Sequence, residues 1–542
     1  MPDLAALFEG HPLRPLLARI GDVAAAEDIE AYAVGGLVRD VLLGETTTDV
    51  DVVTVGAGTG LRLAEAVRKA LGAKRVQVYE AFGTAAIRLP EARGGHVVEF
   101  VAARRESYRR ESRKPEIEAG TLDEDLARRD FTINALAVDL HLERFGRLLD
   151  PFGGVQDLAA GLLRTPLDPR VTFDDDPLRM VRAARFSARF GFTVAPEILE
   201  AMRARVERIA IVSPERVADE LQKLIAADVP STGFRVLFEG RLLPHILPEL
   251  DALAGVEAVD GVGHKDNFFH TIQVLDNLVA AMRHRPVEDT RYLRWAALLH
   301  DVGKARTKRF RRGRGWTFYH HEEESARLVP VIFERLRLPR DARMDYVRDL
   351  VRLHHRPHAL VDEGVTDSAE RRLLFDAGDL ADDLMTLVRA DLTTKNPRRR
   401  NRYLAGFDRV EEKMQSVEAR DHVRNFQPPV RGEEIMAALG VSEGLAVGIL
   451  KERLKEAILE GEVPNEHDAA WAFVQQHAPD ALRRGHLFDR LRTELPPKER
   501  RALGTLRDTL ATAVLPDDED AAWAFLMRVK DDVLEGGSRI EA

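Results

Sequence analysis

Hydrophobic and polar positions change rhythm once along this chain. Over residues 1–165, short apolar runs are interleaved with helical patterns. EAYAVGG (30–36) reads as a strand running into a turn, and TDVDVVTVG (48–56) alternates with period two. LRLAEAVRKALG (61–72) repeats its apolar residues at helical spacing, and RVQVYEAFGTAAIRLP (75–90) and HVVEFVAAR (96–104) read as two strands. From LRMVRAARFSARFG (178–191) almost to the end, apolar residues recur at i, i+3 and i+4. The pattern predicts an α/β front followed by an all-α rear, in a multidomain chain. RRESYRRESRKPEIEAG (104–120) carries both signs of charge and no apolar face, and reads as a mobile surface loop. PVEDT (286–290) and NFQPPVRG (425–432) read as linkers or helix boundaries, the second opening a C-terminal region. EHDAAWAFV (466–474) and DEDAAWAFL (518–526) echo one another. Two capped helices with similar buried faces account for the echo better than a true repeat.

At 542 residues the chain is too long for one domain, and a size of about 150 residues per domain gives roughly three or four. With 45% hydrophobic and 31% charged residues it is not a disordered or fibrous protein. It contains no Cys. That excludes disulfides, thiolate zinc sites, iron–sulfur clusters and thiol catalysis, and fits a reducing compartment. The formal net charge of −10 argues against a cationic coat for nucleic acid, though local basic patches still bind RNA. MPDLAALFEGHPLRP lacks the basic region and apolar core of a signal peptide. No run of about 18 apolar residues predicts a membrane span, and the expected address is the cytoplasm, with no membrane partner.

The densest chemistry lies in AVGGLVRDVLLGETTTDVDVV (33–53). Gly35 and Gly36 follow a strand and open a helix, where glycines let backbone N–H groups approach phosphate oxygens. Arg39 and Asp40 follow in the helix. Asp49 and Asp51, two apart on a strand, share one face. An arbitrary Asp-x-Asp is a solvated strand face. Here Val50, Val52 and Val53 place the strand in a core, and phosphate-friendly glycines stand nearby. Paired carboxylates beside a triphosphate cradle suit two Mg²⁺ ions, one for the attacking hydroxyl and one for the leaving pyrophosphate. Glu99, on a neighbouring strand, is the expected third carboxylate.

The ordered motifs resemble the class II tRNA nucleotidyltransferases and bacterial poly(A) polymerases of the polymerase-beta-like superfamily. GGLVRD (35–40) and DVD (49–51) are similar to the catalytic motif, and RRDFTINALA (128–137) to the next one. DPFGGVQDL (150–158), DDDPLRMVRAARF (174–186) and SPERVADELQKLI (213–225) resemble the remaining ones. The resemblance implies that Asp49 and Asp51 bind metal and that Gly35, Gly36 and Arg39, with Asp40 beside them, hold the triphosphate. Arg128, Arg129, Asp130 and Asn134 fix the nucleotide and its ribose. Asp176 and Arg179 read the base edge of CTP or ATP as a protein template; three apart, they are expected on one helix face. Asp175 stands where the family usually has Glu. Residues 104–120 match the family's flexible loop.

Histidines cluster over 264–358. His270, His300, Asp301, His320, His321, His354, His355 and Asp391 occur in apolar helical stretches, a set whose imidazoles and carboxylates suit Mn, Fe, Co, Ni, Zn or Mg. The set resembles the HD-domain metal phosphohydrolases. That implies His270, His300, Asp301 and Asp391 at one metal, and His321 with His354 or His355 at a second. Relatives carrying this domain are associated with 2′,3′-cyclic phosphodiesterase, 2′-nucleotidase or phosphatase activity. KARTKRFRRGRGW (304–316) places Lys304, Arg306, Lys308, Arg309, Arg311, Arg312 and Arg314 directly behind the HD pair, and PRRRNR (397–402) adds more. Both are expected to contact RNA backbone. VRGEEIMAALGVSEGLAVGILKERLKEAILEGEVPN (430–465) resembles a helix–turn–helix tail that grips tRNA.

The expected organisation is a nucleotidyltransferase head (1–165), a helical neck (166–250), an HD domain (251–424) and a helical tail (425–542). The leading expectation is template-independent CCA addition to tRNA from CTP and ATP. Poly(A), A-only or CC-only addition is the alternative within the superfamily. An HD phosphohydrolase with a tRNA-binding front half is the alternative of another class. The oligomeric state stays open.

Overall fold

The computed structural model describes residues 4–45, 47, 49–79, 83–90, 95–107, 116–259, 262–361, 367–421 and 427–534. They form two compact units, residues 1–352 with 390–393, and residues 353–389 with 394–542.

The first unit opens on a seven-stranded sheet: β1 (Ala31–Val34), β2 (Asp49–Thr54), β3 (Val76–Tyr79), β4 (Thr84–Arg88), β5 (Val97–Ala102), β8 (Ala137–Asp139) and β9 (Leu148–Leu149). Its order is β3-β4-β5-β2-β1-β8-β9, and β2 runs parallel to β5 while the other pairs are antiparallel. Residues 75–90, read as one strand, form two, because Gly83 with φ +57° lets the chain turn back within the stretch. Along β2 the period-two pattern splits cleanly. Val50 and Val52 join the larger core with Phe100, Val98, Leu63 and Ile20, and Val53 joins a smaller core on the other face. Asp49 and Asp51 lie on Val53's side, so the core that buries Val50 and Val52 holds both carboxylates out of itself.

The segment read as a surface loop is ordered at both ends. β6 (Arg104–Ser107) and β7 (Glu116–Ala119) pair as a hairpin, Arg104 opposite Ala119; residues 108–115 lie outside the described residues. Ladder hydrogen bonds hold it without an apolar face, so its mixed charge concealed it.

Two of the recurring motifs pack backbone to backbone. Gly153 (φ +76°) turns the chain into the helix Gly154–Ala160. Asp150 accepts hydrogen bonds from the amides of Gly154 (2.7 Å) and Val155 (3.0 Å). Thr132 Oγ1 donates to Asp157 Oδ2 (2.5 Å). A Cβ on Gly154 would sit 2.2 Å from the Thr132 carbonyl.

Behind the head come the neck helices Leu178–Phe190, Pro214–Ile225 and Pro230–Glu239, packed on one another. Buried Arg294, in the helix Val287–Leu299, donates to the carbonyls of Ile225 (2.9 Å) and Ala227 (3.1 Å), tying the neck to the following helices. The second unit is helical. His467–Glu494 and Glu519–Leu534 carry the two echoed segments; Ala470 and Val474 are buried in one, Ala522 and Leu526 at the matching places in the other. No helix among the described residues is long and apolar enough to cross a membrane.

Gly154→Ala forces backbone apart at the contact with Thr132. It is expected to cost about 1–3 kcal/mol and to lower the first thermal transition. An unchanged melting curve would refute this account of the motif contact.

Candidate functional site

The front site is a cavity of about 720 Å³ between head and neck, lined among others by Gly35, Gly36, Arg39, Asp40, Asp49, Asp51, Arg128, Arg129, Asp130, Asn134, Asp176 and Arg179. β2 and β5 are in register, with Asp51 opposite Glu99. Three carboxylates therefore stand on one face of the sheet. Burial lifts Asp51 above the ordinary carboxylate range, Arg129 opposes this and Asp49 adds to it. Burial, then Asp51 and Asp49, lift Glu99. Such a cluster is relieved by a divalent cation, and hard carboxylate oxygens fit Mg²⁺.

Gly35 adopts φ +71°, and a Cβ there would lie 2.7 Å from Arg129 NH1. Its own amide donates to the Leu136 carbonyl (3.0 Å). The amides able to meet an anion are therefore those of the next turn, where the helix Gly36–Leu43 begins.

Several residues expected to touch nucleotide are braced by one another. Arg39 Nε donates to Asp40 Oδ1 (2.8 Å), and Arg39 NH1 to Asn134 Oδ1 (2.5 Å). Asn134 Nδ2 donates to Asp130 Oδ1 (2.8 Å), and Arg182 Nε to Asp130 Oδ2 (2.8 Å). Burial would raise the Asp130 carboxyl, but Arg182, Asn134 and Arg179 hold it well below the usual range. Arg128 and Arg129 both pair with fully buried Asp125, at 2.6 and 3.2 Å. The Arg39 guanidinium also lies over the rings of Phe190 (4.9 Å) and Phe186 (5.3 Å) of the neck.

Asp176 and Arg179 do not share a helix face. Pro177 forces the preceding residue out of the α region, so Asp176 is extended (φ −140°, ψ 103°) and the helix starts at Leu178. Asp176 accepts from the Leu178 amide (3.1 Å) and from Arg216 (2.9 Å). Arg179, buried, donates to the carbonyls of Arg128 (2.6 Å) and Thr172 (3.3 Å). Both still line the cavity. The sequence reading missed Arg182, Arg185, Phe186, Arg189 and Arg216, which line it too. Arg182, Arg185 and Arg189 follow Arg179 at helical spacing, a signal present in the sequence.

A second cluster is built mostly from helix ends rather than from within helices. His270 lies in the helix Asn267–Ala281. His300 and Asp301 follow the end of Val287–Leu299, His321 begins His321–Arg335, and Asp391 ends Ala381–Asp391. His270 Nε2 lies 2.9 Å from Asp391 Oδ1 and 3.5 Å from Asp301 Oδ2. His300 Nε2 lies 3.3 Å from Asp301 Oδ2, and His321 Nε2 3.4 Å from Asp301 Oδ1. Ligand atoms of His270, His300 and Asp301 all lie within 4.8 Å of one another. His300 Nδ1–H donates to the Ala297 carbonyl (2.8 Å) and His321 Nδ1–H to that of Phe318 (2.9 Å). The Thr393 hydroxyl stands 2.9 Å from His270 Nδ1. Anchoring Nδ1 and presenting Nε2 is how metal-bound histidines are held, so the residues fit a divalent ion. Burial would lower His300, but Asp301 and Asp391 push it up to about 10.

His354 and His355 belong to the second unit, just after the helix Ala342–Leu353; His354 is buried, His355 exposed. His355 packs beside His358, ring centres 5.7 Å apart. The seven basic residues do not form one continuous patch. Lys304 bonds Asp301 (2.6 Å), Arg306 pairs with Glu324 (2.8 Å) and Lys308 with Glu257 (2.6 Å). Arg309, Arg311, Arg312 and Arg314 are exposed around the hairpin Arg309–Arg311/Gly315–Thr317.

Three family models match: the poly A polymerase head domain over 31–164, the probable RNA and SrmB-binding site of polymerase A over 191–253, and the HD domain over 267–411. The multifunctional CCA protein of Nitrosomonas eutropha is 37% identical over 367 residues, 64% of this chain and 81% of that protein. That of Chromobacterium violaceum is 40% identical over 327 residues, 58% and 72% of the two chains. This chain belongs to the multifunctional CCA protein family. The fold agrees with solved CCA-adding enzymes. The Thermotoga maritima enzyme complexed with tRNA matches with TM-score 0.56 at 22% identity, covering 88% of this chain and 98% of that one. The Bacillus stearothermophilus enzyme with CTP matches with TM-score 0.55 at 23% identity, covering 86% and 98%. Both the head of this family member and its histidine–aspartate cluster thus fall inside matched domains, and both domain families are metal-dependent.

A depressed carboxyl stabilises the fold above its unfolded pKa, about 3.9, and that stability is lost as pH falls towards the native value. Asp130 and Asp125 are both depressed by arginines. Melting temperature is therefore expected to fall steeply below about pH 4. Asp130→Asn should melt lower at pH 7 and show a shallower acid slope; parallel slopes would remove Asp130 from this role.

Proposed function

We propose that this chain completes tRNA 3′ ends by adding CCA from CTP and ATP without a nucleic-acid template. The carrying observation is Asp49 and Asp51 on a cavity walled by arginines and opened by Gly35–Gly36, with Glu99 in register opposite Asp51 on the next strand. The terminal tRNA hydroxyl attacks the α-phosphorus of the nucleotide, and pyrophosphate leaves. Asp49 and Asp51, with Glu99 beside them, would hold Mg²⁺, which when bound would supply charge neutralisation for the attacking hydroxyl and the leaving pyrophosphate. The first amides of the helix Gly36–Leu43, with Arg39, Arg128 and Arg129, take the triphosphate oxygens. Asp40 and Asn134 hold Arg39, Asp125 holds Arg128 and Arg129, and Asp130 steadies Asn134 at the ribose pocket. Asp176 accepts from the amino group of C or A while Arg179 and its neighbours donate to the ring acceptors, a pattern that G and U do not offer.

We further assign a phosphohydrolase activity to the HD domain, with a transition metal or Mg²⁺ held by His270, His300, Asp301 and Asp391. His321, with His354 or His355, enters this reading on sequence grounds. An ion held there would supply activation of a water for attack on phosphorus. Lys304, bonded to Asp301, is the cation we assign to substrate phosphate. RNA backbone contact is assigned to Arg309, Arg311, Arg312, Arg314 and the segment 397–402, and tRNA grip to the helices of 430–465. The division into head (1–165), neck (166–250), HD domain (251–424) and tail (425–542), and a cytoplasmic address, complete the proposal.

Purified protein with Mg²⁺ and tRNAs ending before CCA, after C and after CC should extend each to CCA and stop. Long A tails would indicate a poly(A) polymerase, and growth by C or A alone a split-function enzyme. No extension would leave the HD domain as the principal activity. Asp49→Ala should abolish incorporation and spare phosphohydrolysis, and Asp301→Ala the reverse. Loss of both activities in either folded variant would overturn the two-site reading.

A further inference from the structure

The hairpin Arg309–Arg311/Gly315–Thr317 brings aromatic rings to the histidine–aspartate cluster, which the metal ligands do not require. The path is continuous. Lys304, bonded to Asp301, stands 5.8 Å from the centre of the Phe318 ring. Phe318 meets His264 edge to face at 6.1 Å, and His264 meets Trp316 edge to face at 5.1 Å. The Phe318 carbonyl anchors His321, and Lys265, next to His264, lies 3.0 Å from His270 Nδ1. His264, Trp316 and Phe318 are all partly exposed. Folding gains most from aromatic rings when they are buried, so three left partly in water near the histidine–aspartate cluster point to a ligand. Rings interleaved with ammonium groups suit one chemistry well: the ring takes a nucleobase, the cation a phosphate.

We propose that His264, Trp316 and Phe318 form a base-stacking wall for the substrate of the HD site, with Lys265 and Lys304 receiving its phosphate. The site then selects a nucleoside phosphate, free or at an RNA 3′ end, over a phosphoester without a base. This rests on the reading of the HD domain as a phosphohydrolase, and Trp316 is its specificity-determining residue.

The test uses full-length wild type, Trp316→Ala and Trp316→Phe. The probes are adenosine 2′,3′-cyclic phosphate, a tRNA ending in a 2′,3′-cyclic phosphate, and methyl riboside 2,3-cyclic phosphate, which lacks a base. Binding is measured by calorimetry on chelated protein, and turnover on metal-loaded protein. Trp316→Ala should weaken binding of the adenosine probe roughly tenfold, the scale of one lost base–aromatic stack, with the turnover loss carried by KM. Trp316→Phe should restore most of it. The abasic probe and nucleotide incorporation at the head should be unaffected. A larger effect on the tRNA probe would identify the RNA end as the natural source, and an effect on the mononucleotide alone a free nucleotide. Equal losses on the base-bearing and abasic probes, or no loss at all, would overturn the wall. If wild type binds the adenosine probe with this preference but hydrolyses nothing with any divalent metal, the wall stands and the phosphohydrolase reading falls.

Discussion

The front half of the molecule depends on one buried carboxylate. An unpaired charge at the position of Asp130 would cost several kcal/mol. It is met instead by Arg182 from the neck, by Asn134 and by the Phe131 amide. Each partner carries the constraint onward. Asn134 holds Arg39, on the helix that follows the paired glycines. Arg182 also approaches Glu220 (3.7 Å), which Arg185 meets at 2.9 Å. One carboxylate thereby fixes the head motifs, the helix Leu178–Phe190 and the helix Pro214–Ile225 in a single arrangement. The strand bearing Asp49 and Asp51 is set against the residues that would read the base. Residues that the sequence suggested as nucleotide contacts, Asp130 and Asn134 among them, act first on one another.

The two clusters have opposite electrostatic needs. The front cavity is lined by eight arginines and five aspartates, with a surplus of cationic donors suited to a polyanion. The histidine–aspartate cluster has converging imidazole nitrogens and carboxylate oxygens, and Asp301 and Asp391 raise the proton affinity of His300. The front cavity answers both demands at once, its arginines suiting the polyanion and Asp49 and Asp51 a divalent cation.

What could be read from the sequence follows from how local the signal is. Asp49 and Asp51 were visible because strand alternation is a two-residue property, and Val50, Val52 and Val53 declared which face was buried. Glu99 was visible for the same reason one strand away. Asp176 was placed on the wrong footing because three-residue spacing was allowed to outweigh Pro177, whose effect on its predecessor is equally local. The histidines were legible by type, and His300 and Asp301 as the end of an apolar helix; the helix-end positions of His321 and Asp391 were not. A helix interior sends side chains outward at fixed angles, whereas several helix ends can converge on one point. The hairpin of 104–119 was hidden because a ladder of backbone bonds leaves no mark in side-chain polarity.

The basic run behind the HD pair shows how charge counting misleads when reach is ignored. Lys304 lies three residues after Asp301 and returns to it. Arg306 and Lys308 are taken by Glu324 and Glu257, so three of the seven cations are already paired with carboxylates. The residue that changes the reading of this segment is Trp316, buried in the count of its basic neighbours. In a chain of net charge −10, a diffuse positive surface cannot be what recruits RNA. What the described residues offer instead is a few placed groups: arginines braced in the front cavity, and partly exposed rings near the histidine–aspartate cluster.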